Sequence, residues 1–260
     1  MRDFAYARPV SLADAASAFA GGGEAAFIAG GHTLLPAIKS RLRMPDTLVD
    51  LAAIPGLDGI VPDGDRLWIG ALTTHAAVAA GAGAIPGLVA MANVIGDQQV
   101  RNRGTLGGVI ANNDPAADYP AAVLALDGMI ETDRASYAAD DFFQGMFATA
   151  LADGEIVTRV GFRMPLASGY AKFRNPASRY ALVGVFVARF ADGVGVAVIG
   201  AGPGVFRWTA AEAALTADFS AGAVAGLVLD ADDLNSDLHA SAEFRAHLAG
   251  VMLAQAVGDA

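Results

Sequence analysis

Gln99 to Leu126 reads QVRNRGTLGGVIANNDPAADYPAAVLAL, two kinds of chemistry in one run. Its first half sets glycines at 104, 107 and 108 beside Arg101 and Arg103, where the absence of a Cβ lets backbone N–H groups approach an anion. Its second half opens on Asp114 and Pro115 and predicts a helix starting at Asp114, with proline at the first helical position, where its missing N–H costs nothing. Asp118 then falls one turn past Asp114, so that one carboxylate caps the helix while the other reaches toward a ligand hydroxyl.

A matching arrangement lies upstream. Ala29 to Pro36, AGGHTLLP, joins the short apolar run Ala25–Ala29 to a segment whose Leu34, Leu35, Ile38 and Leu42 share one helix face. This is strand, glycine turn, helix, and it offers backbone N–H groups and a helix N-terminus to a pyrophosphate, with Thr33 either capping the helix or giving its hydroxyl to a phosphate oxygen. Each turn alone also reads as a tight turn without ligand, and the two arginines as partners of surface carboxylates. Neither turn matches the G-x-G-x-x-G fingerprint or the phosphate loop ending in Gly-Lys-Ser/Thr. The physical reading that remains is a long dinucleotide with its diphosphate held between two glycine loops from two subdomains.

The rest of the chain frames these loops. Ser11 predicts a capped helix ending at Gly21–Gly23, Thr47–Leu51 a strand, and Asp63-Gly64 a hairpin, followed by a small-residue helix capped by Thr73 or Thr74. Beyond Pro165, Tyr180–Phe190 and Val194–Gly200 form a second hairpin about Asp192-Gly193, and helices are expected over Ala210–Leu215, Ala221–Leu229 and Ala242–Ala256. The expected architecture is therefore α+β, closing on an antiparallel sheet with helices on one side. A boundary near residue 168 divides a domain over 1–168, with subdomains of about 1–55 and 56–168, from a C-terminal α+β domain over 169–260.

Composition narrows the function. The 260 residues contain no cysteine, which removes disulfides, thiolate chemistry and any iron–sulfur cluster bound by this chain, so that a redox role needs an organic carrier. Seventeen basic against 27 acidic residues give a net charge of −10, the wrong sign for a nucleic-acid partner. The uncharged stretch from Ala76 to Gly96 is rich in small residues and contains Pro86, so it reads as buried helix plus loop and not as a membrane span. Asp3 and Arg8 stand where a signal peptide would need an apolar run, and the expected location is cytoplasmic. The four histidines are too scattered for a metal site, and no serine stands in a nucleophile elbow.

Taken together, AGGHTLLP, QVRNRGTLGG with DPAADYPAAVLAL, GYAKFRNPASRYALVGVFVA and EFRAHLAGVMLAQAV resemble the FAD-binding medium subunit of molybdenum hydroxylases, the carbon monoxide dehydrogenase and xanthine dehydrogenase family, over essentially the whole chain. The resemblance implies a two-part FAD-binding domain of the p-cresol methylhydroxylase and vanillyl-alcohol oxidase type. It also implies that Ala29, Gly30, Gly31, His32, Thr33 and Leu34 wrap the FAD diphosphate, that Gly104, Thr105, Leu106, Gly107 and Gly108 complete the seat, and that Ile95 and Gly96 line it. Asp118 matches the acid that bonds ribityl or ribose hydroxyls, Tyr180 the residue packed beside the isoalloxazine, and Lys172 and Val157 positions approaching the ring. Val109 stands where the family usually has asparagine. By the same resemblance, a large partner subunit carries molybdenum-pterin, a small one carries two [2Fe-2S] clusters, and the three assemble as a dimer of heterotrimers in which this chain passes electrons to an external acceptor. A stand-alone FAD-dependent oxidase and a cofactor-less interaction subunit are the alternatives.

Overall fold

Ser11 accepts a hydrogen bond from the Asp14 N–H and starts the helix Leu12–Phe19 in the computed structural model, which describes residues 3–260. The first two positions of the segment assigned to the FAD-binding domain lie outside the described residues. The helices Leu12–Phe19 and Leu34–Lys39 supply the crossovers that parallel strands require. They connect a three-stranded sheet in the order Ala5–Ala7, Thr47–Asp50, Ala25–Ile28, with both pairings parallel.

The Asp63-Gly64 hairpin forms as its turn chemistry predicts, with Gly64 at φ +61°, joining Ile60–Asp63 to Arg66–Gly70. That pair extends through Val157–Arg163, Met129–Thr132 and Ser136–Ala138 into a five-stranded antiparallel sheet. The uncharged stretch becomes two helices, His75–Gly81 and Pro86–Asn93, whose Val78, Leu88 and Met91 are fully buried. Thr74 caps the first of them, accepting from the Ala77 N–H, while Thr73 bonds Gly59 instead.

The C-terminal segment is an antiparallel meander of Ala167–Arg174, Ala181–Arg189, Val194–Ile199 and Phe206–Arg207. Residue 168 lies inside its first strand. The side chains alternate between two apolar clusters. Val183, Val185 and Val187 join Leu248, Met252 and Leu253 of the helix Ala242–Gly258, while Phe186 and Ala188 join Leu88 and Leu124 on the opposite face. The segment's own helices Thr209–Ala217 and Ala242–Gly258 thus cover one side as expected, and Pro86–Asn93 and Tyr119–Ala125 cover the other. Burial on both faces explains why these strands read as continuous apolar runs. Among the described residues no helix is long and apolar enough to cross a membrane, and no group of three His, Asp or Glu side chains could hold a metal ion.

Four sequence expectations need correction. The helix expected from Asp114 begins at Tyr119, with Pro120 in its first turn. Asp114 instead bonds the Ala116 N–H, and the Pro115 carbonyl accepts from the Gly200 N–H, so a tertiary bond takes the oxygen that a helix beginning there would need. The second glycine loop ends at Thr105, and Leu106–Asn112 is a helix capped by the Thr105 hydroxyl. Ala221–Leu229 is a chain of turns, in which Gly226 takes φ +87° while Val224 still reaches the core. Leu42 does not continue the face of Leu34 and Ile38: the helix stops at Lys39, Arg41 turns at φ 60°, and Leu42 is 79% exposed.

Candidate functional site

The two glycine turns touch each other. A Cβ added to Gly30 would fall on the Arg103 carbonyl oxygen and lie 3.0 Å from the Gly104 Cα, so the first turn lies against the second, backbone on backbone. Gly31 takes φ +75°, a conformation that favours glycine, and its carbonyl accepts the Leu35 N–H at 3.0 Å. The second turn is tied to the segment behind it. The His75 N–H bonds the Gly104 carbonyl, the Leu106 N–H the Thr73 carbonyl, and the Gly107 N–H the Ala71 carbonyl at 2.7 Å. A Cβ on Gly104 would meet His75 Nε2 at 2.5 Å, and one on Gly107 would meet the Ala71 Cβ at 2.5 Å. Gly107 is therefore small so that its helix can pack on residue 71.

Both turns open onto one cavity of about 1210 Å³. Ala29, Gly30, Gly31, His32, Thr33 and Leu34 line it from the first subdomain, with His32 and Thr33 exposed. Gly104, Thr105, Gly107 and Gly108 line it from the second turn, and Ile95, Gly96 and Val157 also form part of its wall. Asp118 and Tyr180 line it as well, Tyr180 with 46% exposure. Two sequence candidates stand apart. Leu106 is fully buried in the core, and Lys172 is not in the wall; its side chain is 2% exposed and its Nζ lies 2.7 Å from Asp118 Oδ1. The Thr33 hydroxyl caps no helix, and Val109 lines the cavity.

The electrostatics sharpen this picture. Asp118 is 6% exposed and does not cap the helix that follows it; Oδ1 accepts both the Tyr170 hydroxyl, at 2.5 Å, and Lys172 Nζ. Burial first, then the charge of Asp118 and its hydrogen bond, hold the Tyr170 hydroxyl well above the usual phenol range, so it remains a donor. The Tyr180 hydroxyl is also raised, by loss of solvent and by the charges of Asp114 and Asp118.

Two cavity residues were not picked out from sequence. His75 and Tyr119 are 2% and 0% exposed, and their rings are 5.3 Å apart. His75 Nδ1 and the Tyr119 hydroxyl are two of only three buried side-chain polar atoms among the described residues that have no hydrogen-bond partner. Burial first, then the neighbouring His32 and Arg101, lowers the His75 pKa to about 4, so its imidazole is neutral at pH 7. The Thr73-Thr74-His75 run was a legible cap signal, but nothing in it located the imidazole behind Gly104.

Comparison with known proteins gives consistent results. Residues 2–165 match the family described as the FAD binding domain in molybdopterin dehydrogenase. The nicotine 6-hydroxylase medium subunit of Paenarthrobacter nicotinovorans is 35% identical over 273 residues, covering 98% of this chain and 96% of that relative. The carbon monoxide dehydrogenase medium chain of Afipia carboxidovorans is 34% identical, covering 98% and 95%. A solved structure of reconstituted CO dehydrogenase from Oligotropha carboxidovorans superposes with a TM-score of 0.91 at 32% identity, over 100% of this chain and 98% of that one.

Proposed function

The chain belongs to the family of FAD-binding domains of molybdopterin dehydrogenases, as a medium-subunit member, and we propose that it holds FAD for electron transfer in a heterotrimeric molybdenum hydroxylase. In this reading electrons arrive from the [2Fe-2S] clusters of a small partner subunit and leave to an external acceptor. Substrate is oxidised at a molybdenum-pterin centre in a large partner subunit, and two heterotrimers pair in the cytoplasm.

The residues present fit FAD on one observation. The glycine turns form a cradle, opening on the cavity, in which an added Cβ on Gly30 would strike the opposite backbone. Bound FAD supplies reversible one- and two-electron transfer, the exchange needed between one-electron clusters and a two-electron acceptor. The chain's part is to hold and orient it. Backbone at Ala29–Leu34 and at Thr105 lies against the diphosphate. Gly104, Leu106, Gly107 and Gly108 contribute indirectly, by shaping the turn, because their N–H groups are spent on Val100, Thr73, Ala71 and the Thr105 hydroxyl. Asp118 accepts a cofactor hydroxyl, Ile95, Gly96 and Val157 form the wall around the ring, and Tyr180, still protonated, packs beside the isoalloxazine at the mouth.

The observation that carries this reading is the contact between the two glycine turns across one cavity. Titration of the apo-protein with FAD, followed by flavin fluorescence and competed with ADP, tests it. Saturable one-to-one binding that ADP displaces is expected, and failure to bind FAD would overturn it.

A further inference from the structure

The family match ends at residue 165, yet the carboxylate in the cavity wall is gripped by side chains beyond that point. Tyr170 and Lys172 alternate with Ala171 on the strand Ala167–Arg174, and both reach the face that packs on the preceding domain. Both donate to the same oxygen of Asp118, Oδ1, and neither reaches Oδ2. The Lys172 side chain is 2% exposed and that of Asp118 6%, so water does not compete for this pair. Asp118 and Tyr180 line the same cavity.

We infer that Tyr170 and Lys172 are positioning residues for the flavin half of the dinucleotide: by fixing Asp118 through Oδ1 they present Oδ2 to a hydroxyl of the ribityl chain. The inference rests on the FAD reading above, and it assigns Lys172 a role other than that of a cation beside the ring. A carboxylate anchored by two donors on one oxygen has little rotational freedom, and the cost of ordering it is met before the ligand arrives. A carboxylate oxygen makes a stronger bond to a hydroxyl than a neutral acceptor does. The C-terminal sheet thereby becomes part of the cofactor site. Its grip acts on one end of the ligand only, because the glycine turns that seat the diphosphate bond to other segments.

The test uses the full chain, freed of flavin, with FAD and ADP as separate probes in calorimetric titrations of the wild type, Lys172→Met and Tyr170→Phe. FAD affinity is expected to fall roughly tenfold or more in Lys172→Met and by a smaller factor in Tyr170→Phe, the size of a lost hydrogen bond to a charged group. ADP affinity is expected to stay within about twofold of wild type in both, because ADP has no ribityl chain. Equal FAD affinity in all three proteins would overturn the inference while leaving the FAD reading intact, as would FAD and ADP affinities that fall in step. Absence of FAD binding by the wild type would overturn the FAD reading itself. Tyr170→Phe keeps the ion pair and nearly all the ring volume, so the test stands even if Lys172→Met does not fold.

Discussion

Gly30 is small because another backbone occupies the place of its side chain. Gly30→Ala would push the first turn off the Arg103 carbonyl, at a cost of about 1–3 kcal/mol for overpacking. FAD affinity is expected to drop more than tenfold, read by fluorescence titration beside a urea melt. His75 gives a pH signature. Its folded pKa of about 4 lies below the ordinary 6.5 because burial disfavours the charged ring, so the unfolded chain takes up a proton between those values that the folded chain does not. The stability is therefore complete above pH 6.5 and is lost as pH falls toward 4, by up to about 3 kcal/mol. The wild-type midpoint should fall more steeply than that of His75→Gln as pH is lowered from 7 to 4.5, and parallel curves would refute this. At this scale the sequence disclosed residue types but not their partners. Asp118 was legible as a ligand-facing acid, whereas its grip by Tyr170 and Lys172 joins positions 52 and 54 residues away, which local spacing cannot reveal.

The helix Leu106–Asn112 forms despite two glycines in its first turn. Glycine costs roughly 1 kcal/mol in a helix interior, and what offsets it is the Thr105 cap, together with the fit of Gly107 onto Ala71. Thr105→Val keeps the extended backbone at the cap and removes its hydroxyl. It should lower stability by about 1 kcal/mol, a fall in Tm of about 2–4 °C, and weaken FAD binding by loosening the second turn. A differential melt with and without FAD checks both. Elements whose punctuation is local were readable: hairpins formed at Asp63-Gly64 and Asp192-Gly193, and so did the Ser11-capped helix. Where a long-range bond competes, local rules lost. The Pro115 carbonyl went to Gly200 and delayed a helix by five residues relative to Asp114, and Val224 reached the core from turns, not from a helix.

Across the whole molecule, the Asp118–Lys172 pair pins the helix Tyr119–Ala125 to the C-terminal sheet. Removing one partner leaves a buried charge, so Lys172→Met is expected to cost about 3–5 kcal/mol, while Asp118→Asn combined with Lys172→Met recovers most of that loss. Chemical denaturation of the two variants distinguishes this from an ordinary surface pair, for which neither change would exceed about 1 kcal/mol. The α+β architecture was legible because the C-terminal strands and helices fall in separate runs. The covering of the C-terminal sheet by Pro86–Asn93 and Tyr119–Ala125 was not, because a strand apolar on both faces does not say which helix covers it. The most direct measurement is an absorbance spectrum of this chain purified with its native partners, followed by denaturation and identification of the released chromophore. Released FAD, iron–sulfur bands and a larger and a smaller copurifying chain are expected. FAD on a chain that purifies alone would point to a self-contained oxidase, and partners without flavin to an interaction subunit; either would contradict the role proposed for this protein as the flavin station of a molybdenum hydroxylase.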